Sequence, residues 1–217
     1  MKNKITAEFL GTAFLVMIVL GSGVMGQNLF PQQNGLALLA NSIATGAGLF
    51  VLIKCLGPIS GAHMNPVVSF ISVCRGQLLK HEAIFYIFAQ MAGAYLGVLI
   101  THLMFDLPTF VISTVERAGS NLLVSEIIAT FGLISVIILS VKKNEAFAQV
   151  TVPAYILSAY WFTSSTSFSN PAVTFARCFT NSFGGMSYIH FLPFMICQFL
   201  GGIGAWLLLD KFSASKD

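Results

Sequence analysis

Two Asn-Pro pairs, Asn65-Pro66 and Asn170-Pro171, are the residues whose types and spacing point most directly to chemistry. Asn is a favourable N-cap, and Pro is favourable at the first helical position because its missing N–H would find no helical partner there. Each pair therefore predicts the start of a helix, with an Asn amide left to donate hydrogen bonds. Two such starts meeting at one point would present two positive helix ends, which repel cations but suit a neutral hydroxylated molecule.

The chain that carries these pairs is too apolar to be a soluble domain. Of its 217 residues, 56% are hydrophobic and 9% are charged, which lies outside the usual composition of soluble globular proteins. Six long apolar stretches each approach the roughly 20 residues that a helix needs to cross a membrane. They run over about 5–27, 36–57, 83–105, 121–141, 147–165 and 189–209. We therefore predict an all-α membrane protein with six transmembrane helices, and we assign the first stretch as a span and not as a cleaved signal peptide.

Two shorter apolar segments, about 66–74 and 171–179, remain, and each opens with an Asn-Pro pair. Neither is long enough to cross a membrane. We predict that both are re-entrant half-helices.

The positive charges support this topology. If the N-terminus is cytoplasmic, only Arg117 and Arg177 fall outside, as the positive-inside rule requires. The cytoplasmic set is Lys2, Lys4, Lys54, Arg75, Lys80, Lys142, Lys143, Lys211 and Lys216. We expect both termini to be cytoplasmic, and the net charge of +3 reflects topology and not a nucleic-acid surface.

The two halves of the chain resemble each other. Residues 7–15 (AEFLGTAFL) match 125–133 (SEIIATFGL) at the Glu and the Thr, and 65–70 (NPVVSF) matches 170–175 (NPAVTF). We predict a single channel domain over 1–217, built from repeats of about 1–105 and 120–212. Three spans per repeat force the repeats into opposite orientations, so both Asn-Pro pairs should lie near the mid-plane and line a cavity.

Other polar residues leave alternatives open. Glu8 and Glu126 are the acids within the spans, and a proton relay through them would make the protein a coupled transporter. His63 either lines the cytoplasmic half of the pore, with a pH-dependent role, or orients its loop. The cysteines lack metal-ligand spacing, so we predict no metal site. No nucleophile, base and oxyanion-donor arrangement is visible, so we predict that the protein is not an enzyme.

Four motifs carry a family resemblance. The chain is similar to the aquaporin or major intrinsic protein family at 7–12 (AEFLGT), 59–67 (ISGAHMNPV), 89–94 (AQMAGA) and 170–172 (NPA). The resemblance implies the aquaporin fold, a homotetramer whose subunits each enclose a pore, and passive conduction of water or small neutral solutes without a cofactor. It also implies that Glu8 and Glu126 support the re-entrant loops through hydrogen bonds to their backbone.

The chain departs from the family pattern at two positions beside the pore-centre motifs, which comprise Asn65, Pro66, Val67, Asn170, Pro171 and Ala172. Val67 stands where Ala is usual, a change that should matter little. Val173 stands where the family normally has the Arg of its selectivity filter. Counting back twenty residues from Asn65, and twelve and three from Asn170, places the other filter residues at Thr45, Ser158 and Ser167.

This filter should be wider than usual, weakly polar and uncharged. It should pass solutes bulkier than water, with ion exclusion resting more on the half-helix ends. The assignment of Ser158 depends on register, because Tyr160 and Trp161 lie close by and a one-residue slip would change the lining.

Arg177 lies four residues beyond Val173, hence on the same helix face one turn further from the centre. Two interpretations stand. In one, Arg177 lies in the outer vestibule and draws polar or anionic solutes to the mouth. In the other, its guanidinium satisfies carbonyls at the half-helix C-terminus.

Val173 and the segments 21–25 (GSGVM), 39–46 (LANSIATG) and 160–168 (YWFTSSTSF) resemble a bacterial branch of aquaglyceroporins associated with arsenic-resistance operons. That resemblance implies a bacterial inner membrane protein whose cargo is glycerol, water, and metalloid hydroxides or methylated arsenicals. The alternatives are an ordinary water-selective aquaporin and a proton-coupled transporter.

Overall fold

The structure is a computed structural model that describes residues 1–213, so Lys216, one of the charges used above, lies outside the described residues. Eight α-helices make up about three quarters of this range. They are α1 (Lys2–Leu29), α2 (Asn34–Ser60), α3 (Pro66–Cys74), α4 (Lys80–Met104), α5 (Ser120–Lys143), α6 (Glu145–Phe162), α7 (Pro171–Arg177) and α8 (Phe191–Ser213), with a 3₁₀ turn at Tyr188–His190 before the last.

The six predicted spans correspond to α1, α2, α4, α5, α6 and α8, which confirms the predicted fold class. By length and composition, five of these helices are apolar enough to cross a membrane. The remaining one, α6, has 18 residues, a length of about 27 Å, and it includes Gln149, Thr151 and Pro153. One face of α6, with Gln149, Val152 and Ile156, lines a cavity.

The two predicted half-helices are α3 and α7. Each begins with Asn as N-cap in an extended conformation and Pro at the first turn, as the sequence predicts. α7 ends at Arg177, two residues before the predicted end. Seven and nine residues give lengths of about 10 and 14 Å, so each helix reaches only part of the way through a bilayer.

The helices pack as two equivalent halves. α1 packs against α2 and α4, and α5 packs in the same way against α6 and α8. The halves meet where α2 contacts α6, while α3 and α7 both contact α4 and α8. This arrangement brings the starts of α3 and α7 together between the repeats.

Small residues allow the close helix contacts within each half. A Cβ atom added at Gly97 of α4 would lie 2.6 Å from the Ala13 carbonyl oxygen of α1, and Gly93 abuts the Phe9 carbonyl on the same face. In the second half Gly201 of α8 abuts the Ile127 carbonyl of α5. Small residues spaced four apart commonly let membrane helices approach this closely.

Candidate functional site

A cavity of about 640 Å³ lies between the two repeats. Its walls come from α1, α2, α5 and α6 and from the loops that lead into α3 and α7. It extends from Arg75 and Gln77 at one end to Thr45 and Arg177 at the other. These ends are called the Arg75 mouth and the Arg177 mouth below.

The two Asn side chains meet in the middle of this cavity. The Nδ2 of Asn65 donates to the Ser169 carbonyl at 2.8 Å, and the Nδ2 of Asn170 donates to the Met64 carbonyl at 2.7 Å. Each Oδ1 caps its own half-helix, with the Val67 N–H at 2.9 Å from Asn65. One N–H of each amide has no partner within residues 1–213, so both amides retain a donor for a molecule in the cavity.

The four other residues of the pore-centre motifs lie behind the Asn amides, away from the cavity. They are Pro66, Val67, Pro171 and Ala172, which are buried and do not line the cavity. Val67 instead packs against Ile134 of α5, and its Cγ1 lies 2.5 Å from where a Cβ at Gly202 of α8 would be. The added bulk of Val at this position is therefore accommodated by a glycine in α8.

Glu8 supports the first loop and is fully buried. Its Oε1 accepts from the Ser60 hydroxyl at 2.7 Å and from the His63 N–H at 2.9 Å. Its Oε2 accepts from the Met64 N–H at 2.6 Å and from Gln90 Nε2 at 2.8 Å. Four donors hold one carboxylate, which is the loop-supporting role that the family resemblance implies.

Glu126 supports the second loop in the same way. It accepts from the Phe168 and Ser169 N–H groups, both at 2.9 Å, and from Gln198 Nε2 at 2.6 Å. Neither Glu126 nor Glu8 lines the cavity. A proton relay through the cavity therefore has no carboxylate at its wall among the described residues.

Gln90 and Gln198 were not predicted as site residues. Besides the carboxylates, Gln90 donates to the Ser69 hydroxyl at 3.0 Å and Gln198 to the Thr174 hydroxyl at 2.8 Å. Ser69 and Thr174 both lie four residues after the motif Asn. The internal repeat carried a signal, because Gln-x-x-Gly occurs at 90–93 and again at 198–201.

The backbone of the two loops repeats as well. Gly61, Ala62 and Met64 have φ of 85°, 48° and 47°, and the corresponding residues Thr166, Ser167 and Ser169 have 62°, 50° and 49°. A left-handed conformation costs a non-glycine residue about 1–2 kcal/mol. The hydrogen bonds to the buried carboxylates offset this cost and keep the carbonyls pointed into the cavity region.

Three of the predicted filter residues, Thr45, Ser167 and Val173, line the cavity. The prediction for Ser158 is wrong: it is exposed on the outer face of α6, and its hydroxyl donates to the Tyr155 carbonyl at 2.7 Å. The cavity face of α6 is formed instead by Val152, Ile156 and Tyr160, which follow the four-residue helical repeat. The gapless count misplaced the register by two residues.

Tyr160 therefore takes the position that was assigned to Ser158. Its hydroxyl shares a hydrogen bond of 3.2 Å with the hydroxyl of Thr45. The lining near the Arg177 mouth is consequently Thr45, Tyr160, Ser167 and Val173. These residues contribute three hydroxyls, one of them on an aromatic ring, and one apolar side chain to the cavity wall.

Arg177 also lines the cavity and has 3% of its surface exposed. Its Nη1 donates to the Gly184 carbonyl at 3.2 Å, and its guanidinium carbon lies 3.8 Å from the centre of the Phe168 ring. The side chain thus points along the cavity wall and satisfies a loop carbonyl, which combines features of both sequence interpretations. It does not bond the last carbonyls of its own half-helix.

Arg117, in the loop between α4 and α5, lies on the same aromatic ring. Its guanidinium carbon is 5.1 Å from the centre of Phe168, and it donates to the Gly185 and Phe183 carbonyls at 2.9 and 3.2 Å. Burial and the nearby charge of Arg177 lower the pKa of Arg117 to about 10. Arg117 therefore remains protonated at neutral pH.

His63 lines the cavity on the Arg75 side of the Asn pair. Its Nδ1 is 3.1 Å from the Ser69 hydroxyl, and its ring packs edge-on against Tyr86 with 5.4 Å between ring centres. His63 is therefore both a wall residue and an anchored part of its loop.

Known proteins are similar to this chain over most of its length. The family model described as "Major intrinsic protein" matches residues 1–165. "Aquaglyceroporin AqpS" of Rhizobium meliloti (strain 1021) is 44% identical over 207 residues, covering 95% of this chain and 88% of that protein. Bovine "Aquaporin-4" is 31% identical over 187 residues, covering 82% of this chain and 57% of its own length.

A pneumococcal relative and a solved structure extend the comparison. "Glycerol uptake facilitator protein" of Streptococcus pneumoniae is 32% identical over 148 residues, which is 62% of each chain. The X-ray structure of the aquaglyceroporin from Plasmodium falciparum superposes with a TM-score of 0.76 over 98% of this chain and 97% of that one. At 18% sequence identity this likeness bears on the fold alone.

Proposed function

The chain belongs to the major intrinsic protein family, and from this membership we propose that it is a passive transmembrane channel for small neutral solutes, with glycerol and water as the leading candidates. The family consists of channels, which confirms the prediction that the protein is not an enzyme. Relatives named as an aquaglyceroporin and a glycerol uptake facilitator support glycerol as a solute.

One observation carries this proposal: two Asn amides meet inside a cavity and each keeps a free N–H donor. A solute hydroxyl can exchange its hydrogen bonds with water for bonds to these donors at little net cost. The cavity wall contains Arg75 and Arg177 but no carboxylate among the described residues. Neutral molecules are therefore favoured over cations.

The ring near the Arg177 mouth supports glycerol over water as the defining solute. Thr45, Tyr160 and Ser167 supply hydroxyls, and Val173 supplies an apolar surface where the family normally places Arg. A molecule with a hydroxyl edge and a hydrocarbon edge matches this division. A filter without Arg at position 173 is wider than the usual one, although Tyr160 limits the width.

The resemblance to the arsenic-associated branch adds metalloid hydroxides and methylated arsenicals to the candidate cargo. Neutral arsenic trihydroxide resembles glycerol in offering several hydroxyls on a compact, uncharged body. The same filter would accept it for the same reasons. The solutes used in the permeability test therefore include arsenic trihydroxide and a methylated arsenical.

Stopped-flow permeability of purified protein in liposomes tests the function. We expect glycerol and water permeability above that of empty liposomes. Val173→Arg should lower glycerol permeability at least tenfold, because a guanidinium would fill the apolar side of the ring, and should lower water permeability less.

The matched control is Val150→Arg, since Val150 is exposed on α6 and lies outside the cavity lining. Wild-type protein that passes neither water nor glycerol would exclude the channel. Water flux without glycerol flux would favour the water-selective alternative.

The distribution of positive charges and the family resemblance support a proposal for the oligomeric state, the membrane and the orientation of the protein. We propose that the protein forms a homotetramer in the bacterial inner membrane with both termini cytoplasmic. The Arg177 mouth then faces the outside. In that orientation Arg177 stands between the outer vestibule and the filter. Native mass spectrometry of the detergent-solubilised protein should give four subunits, and protease treatment of intact spheroplasts should leave both termini uncleaved.

A further inference from the structure

Arg177 carries a charge that the described part of the chain leaves without a carboxylate partner. Among the side chains that the structure describes, Lys4 pairs with Glu82 and Arg75 with Asp210, and His190 Nε2 lies 2.7 Å from Glu116 Oε2. Arg177 is buried, and its Nε has no hydrogen-bond acceptor in this range. Leaving a buried charge unpaired is costly, so its retention calls for a physical reason.

The guanidinium is nevertheless held in place. The Phe168 ring covers it at 3.8 Å, and three successive carbonyls, those of Phe183, Gly184 and Gly185, accept from Arg117 and Arg177. The loop that offers these carbonyls is itself held by backbone hydrogen bonds, from the Gly185 N–H to the Ser182 carbonyl at 2.8 Å and from the Met186 N–H to the Arg177 carbonyl at 2.9 Å. The charge is therefore preorganised and not mobile.

The guanidinium of Arg177 lies in the wall of the proposed solute pathway. Arg177 lies four residues after Val173, about 6 Å further along the helix axis and on the same face. Val173, Tyr160 and Arg177 all line the same cavity. The charge thus stands one helical turn from the position that Val173 leaves neutral.

We propose that Arg177 supplies the fixed positive charge of this constriction, displaced by one helical turn, and that Arg117 positions it through the carbonyls of 183–185. The charge excludes cations while its free N–H groups donate to the oxygens of a passing solute. The inference rests on the proposed channel function and revises the expectation of an uncharged filter. Exclusion of a monovalent cation at about 6 Å would be on the order of a hundredfold at an effective dielectric constant near 20.

The test measures K⁺ permeability in proteoliposomes under an imposed membrane potential, with glycerol and water permeability measured on the same preparation. Arg177→Gln should raise K⁺ permeability tenfold to a hundredfold while glycerol permeability changes less than about threefold. Lys142→Gln removes the same charge from the exposed end of α5 and should leave K⁺ permeability unchanged. Arg117→Gln should give a smaller increase than Arg177→Gln.

A second variant covers the case in which Arg177→Gln fails to fold. Arg177→Lys keeps the positive charge at this position but removes the planar guanidinium that lies on the Phe168 ring. Its K⁺ permeability should therefore stay within about threefold of that of wild type. A purely structural role of the guanidinium would instead make Arg177→Lys as impaired as Arg177→Gln.

A relocated charge provides the rescue. Val173→Arg added to Arg177→Gln should restore K⁺ exclusion to within about threefold of wild type. Normal glycerol flux with unchanged K⁺ exclusion in Arg177→Gln, or a K⁺ permeability raised tenfold or more in Arg177→Lys, would overturn the inference and leave the channel function standing. Wild-type protein without solute flux would instead overturn the channel function itself.

Discussion

At the residue scale, the pathway depends on side chains that are held by hydrogen bonds to the protein and still present a polar group to the cavity. Asn65 and Asn170 each cap their own half-helix with the side-chain oxygen and donate one N–H to the opposite loop, and each keeps one N–H for a solute. Tyr160 is anchored to Thr45 and still faces the cavity. Anchoring removes the entropy cost of orienting the group during each passage.

Tyr160 and Ser158 give a direct test of the α6 register. Tyr160→Ser should raise glycerol permeability severalfold, because it removes an aromatic ring from the constriction and breaks the contact with Thr45. Ser158→Ala should leave permeability unchanged, because Ser158 is exposed and outside the cavity lining. Stopped-flow light scattering on both variants measures the difference. Equal effects of the two substitutions would show that the register is wrong.

Replacing Glu8 by Gln should destabilise the protein by about 3 kcal/mol. The carboxylate accepts from four donors, and a Gln amide would turn one acceptor into a donor that faces another donor. Thermal unfolding in detergent should show a midpoint lower by roughly 5–10 °C. Glu116→Gln changes a carboxylate that is 65% exposed and should shift the midpoint by no more than about 2 °C; similar shifts for both would contradict the supporting role.

At the element scale, the half-helices are short pieces that must be positioned by their neighbours. An isolated helix of seven or nine residues is unstable in water, because nucleation costs more than so few hydrogen bonds return. Here the Asn caps, the buried carboxylates and the contacts with α4 and α8 hold α3 and α7. Glycines at the helix crossings make room for them.

The contact between Val67 of α3 and Gly202 of α8 is one of these fits. Gly202→Ala would place a Cβ 2.5 Å from Val67 Cγ1 and should destabilise the protein by about 1–3 kcal/mol. Adding Val67→Ala should recover most of that loss. Thermal unfolding of the four proteins in this double-mutant cycle gives the coupling free energy.

Gly204→Ala is the matched control, because its added Cβ would lie 3.6 Å from Phe131 Cδ2, an ordinary contact. It should change the unfolding midpoint little. Additive effects of Gly202→Ala and Val67→Ala would mean that the two side chains do not share this space.

At the scale of the whole molecule, two inverted halves enclose one pathway. Each half contains a buried carboxylate, a glutamine that donates to it, a half-helix capped by Asn, and loop residues in the left-handed conformation. Such symmetry gives solutes an equivalent path from both sides without a required conformational change. The carboxylates that could carry protons are engaged in supporting the loops.

Solute flux should therefore be passive. Glycerol flux into proteoliposomes should increase in proportion to the glycerol gradient and should not respond to an imposed pH gradient of either direction. The physical reason is that Glu8 and Glu126 are fully buried and lie outside the cavity lining. Flux that saturates and follows the pH gradient would instead support the proton-coupled transporter.

The amino-acid sequence by itself determined the membrane class, the six spans, the two half-helices and the inverted repeat. These features follow from local signals: apolar length, the Asn-Pro helix start, and the recurrence of Glu, Thr and Asn at matching places. The family resemblance also assigned Thr45, Ser167 and Val173 to the filter by their spacing from the motif Asn residues, and these three residues line the cavity.

The tertiary structure decided which face of α6 meets the cavity, how Val67 fits against Gly202, and where Arg177 places its charge. Each depends on helix rotation or on a side chain meeting residues distant in sequence, as Arg177 meets Arg117 through Phe168 and the 183–185 carbonyls. Periodicity and spacing cannot set those rotations when both faces of a membrane helix are apolar. Packing between helices sets them, and it places Tyr160 instead of Ser158 on the cavity face of α6 and Arg177 in the cavity wall.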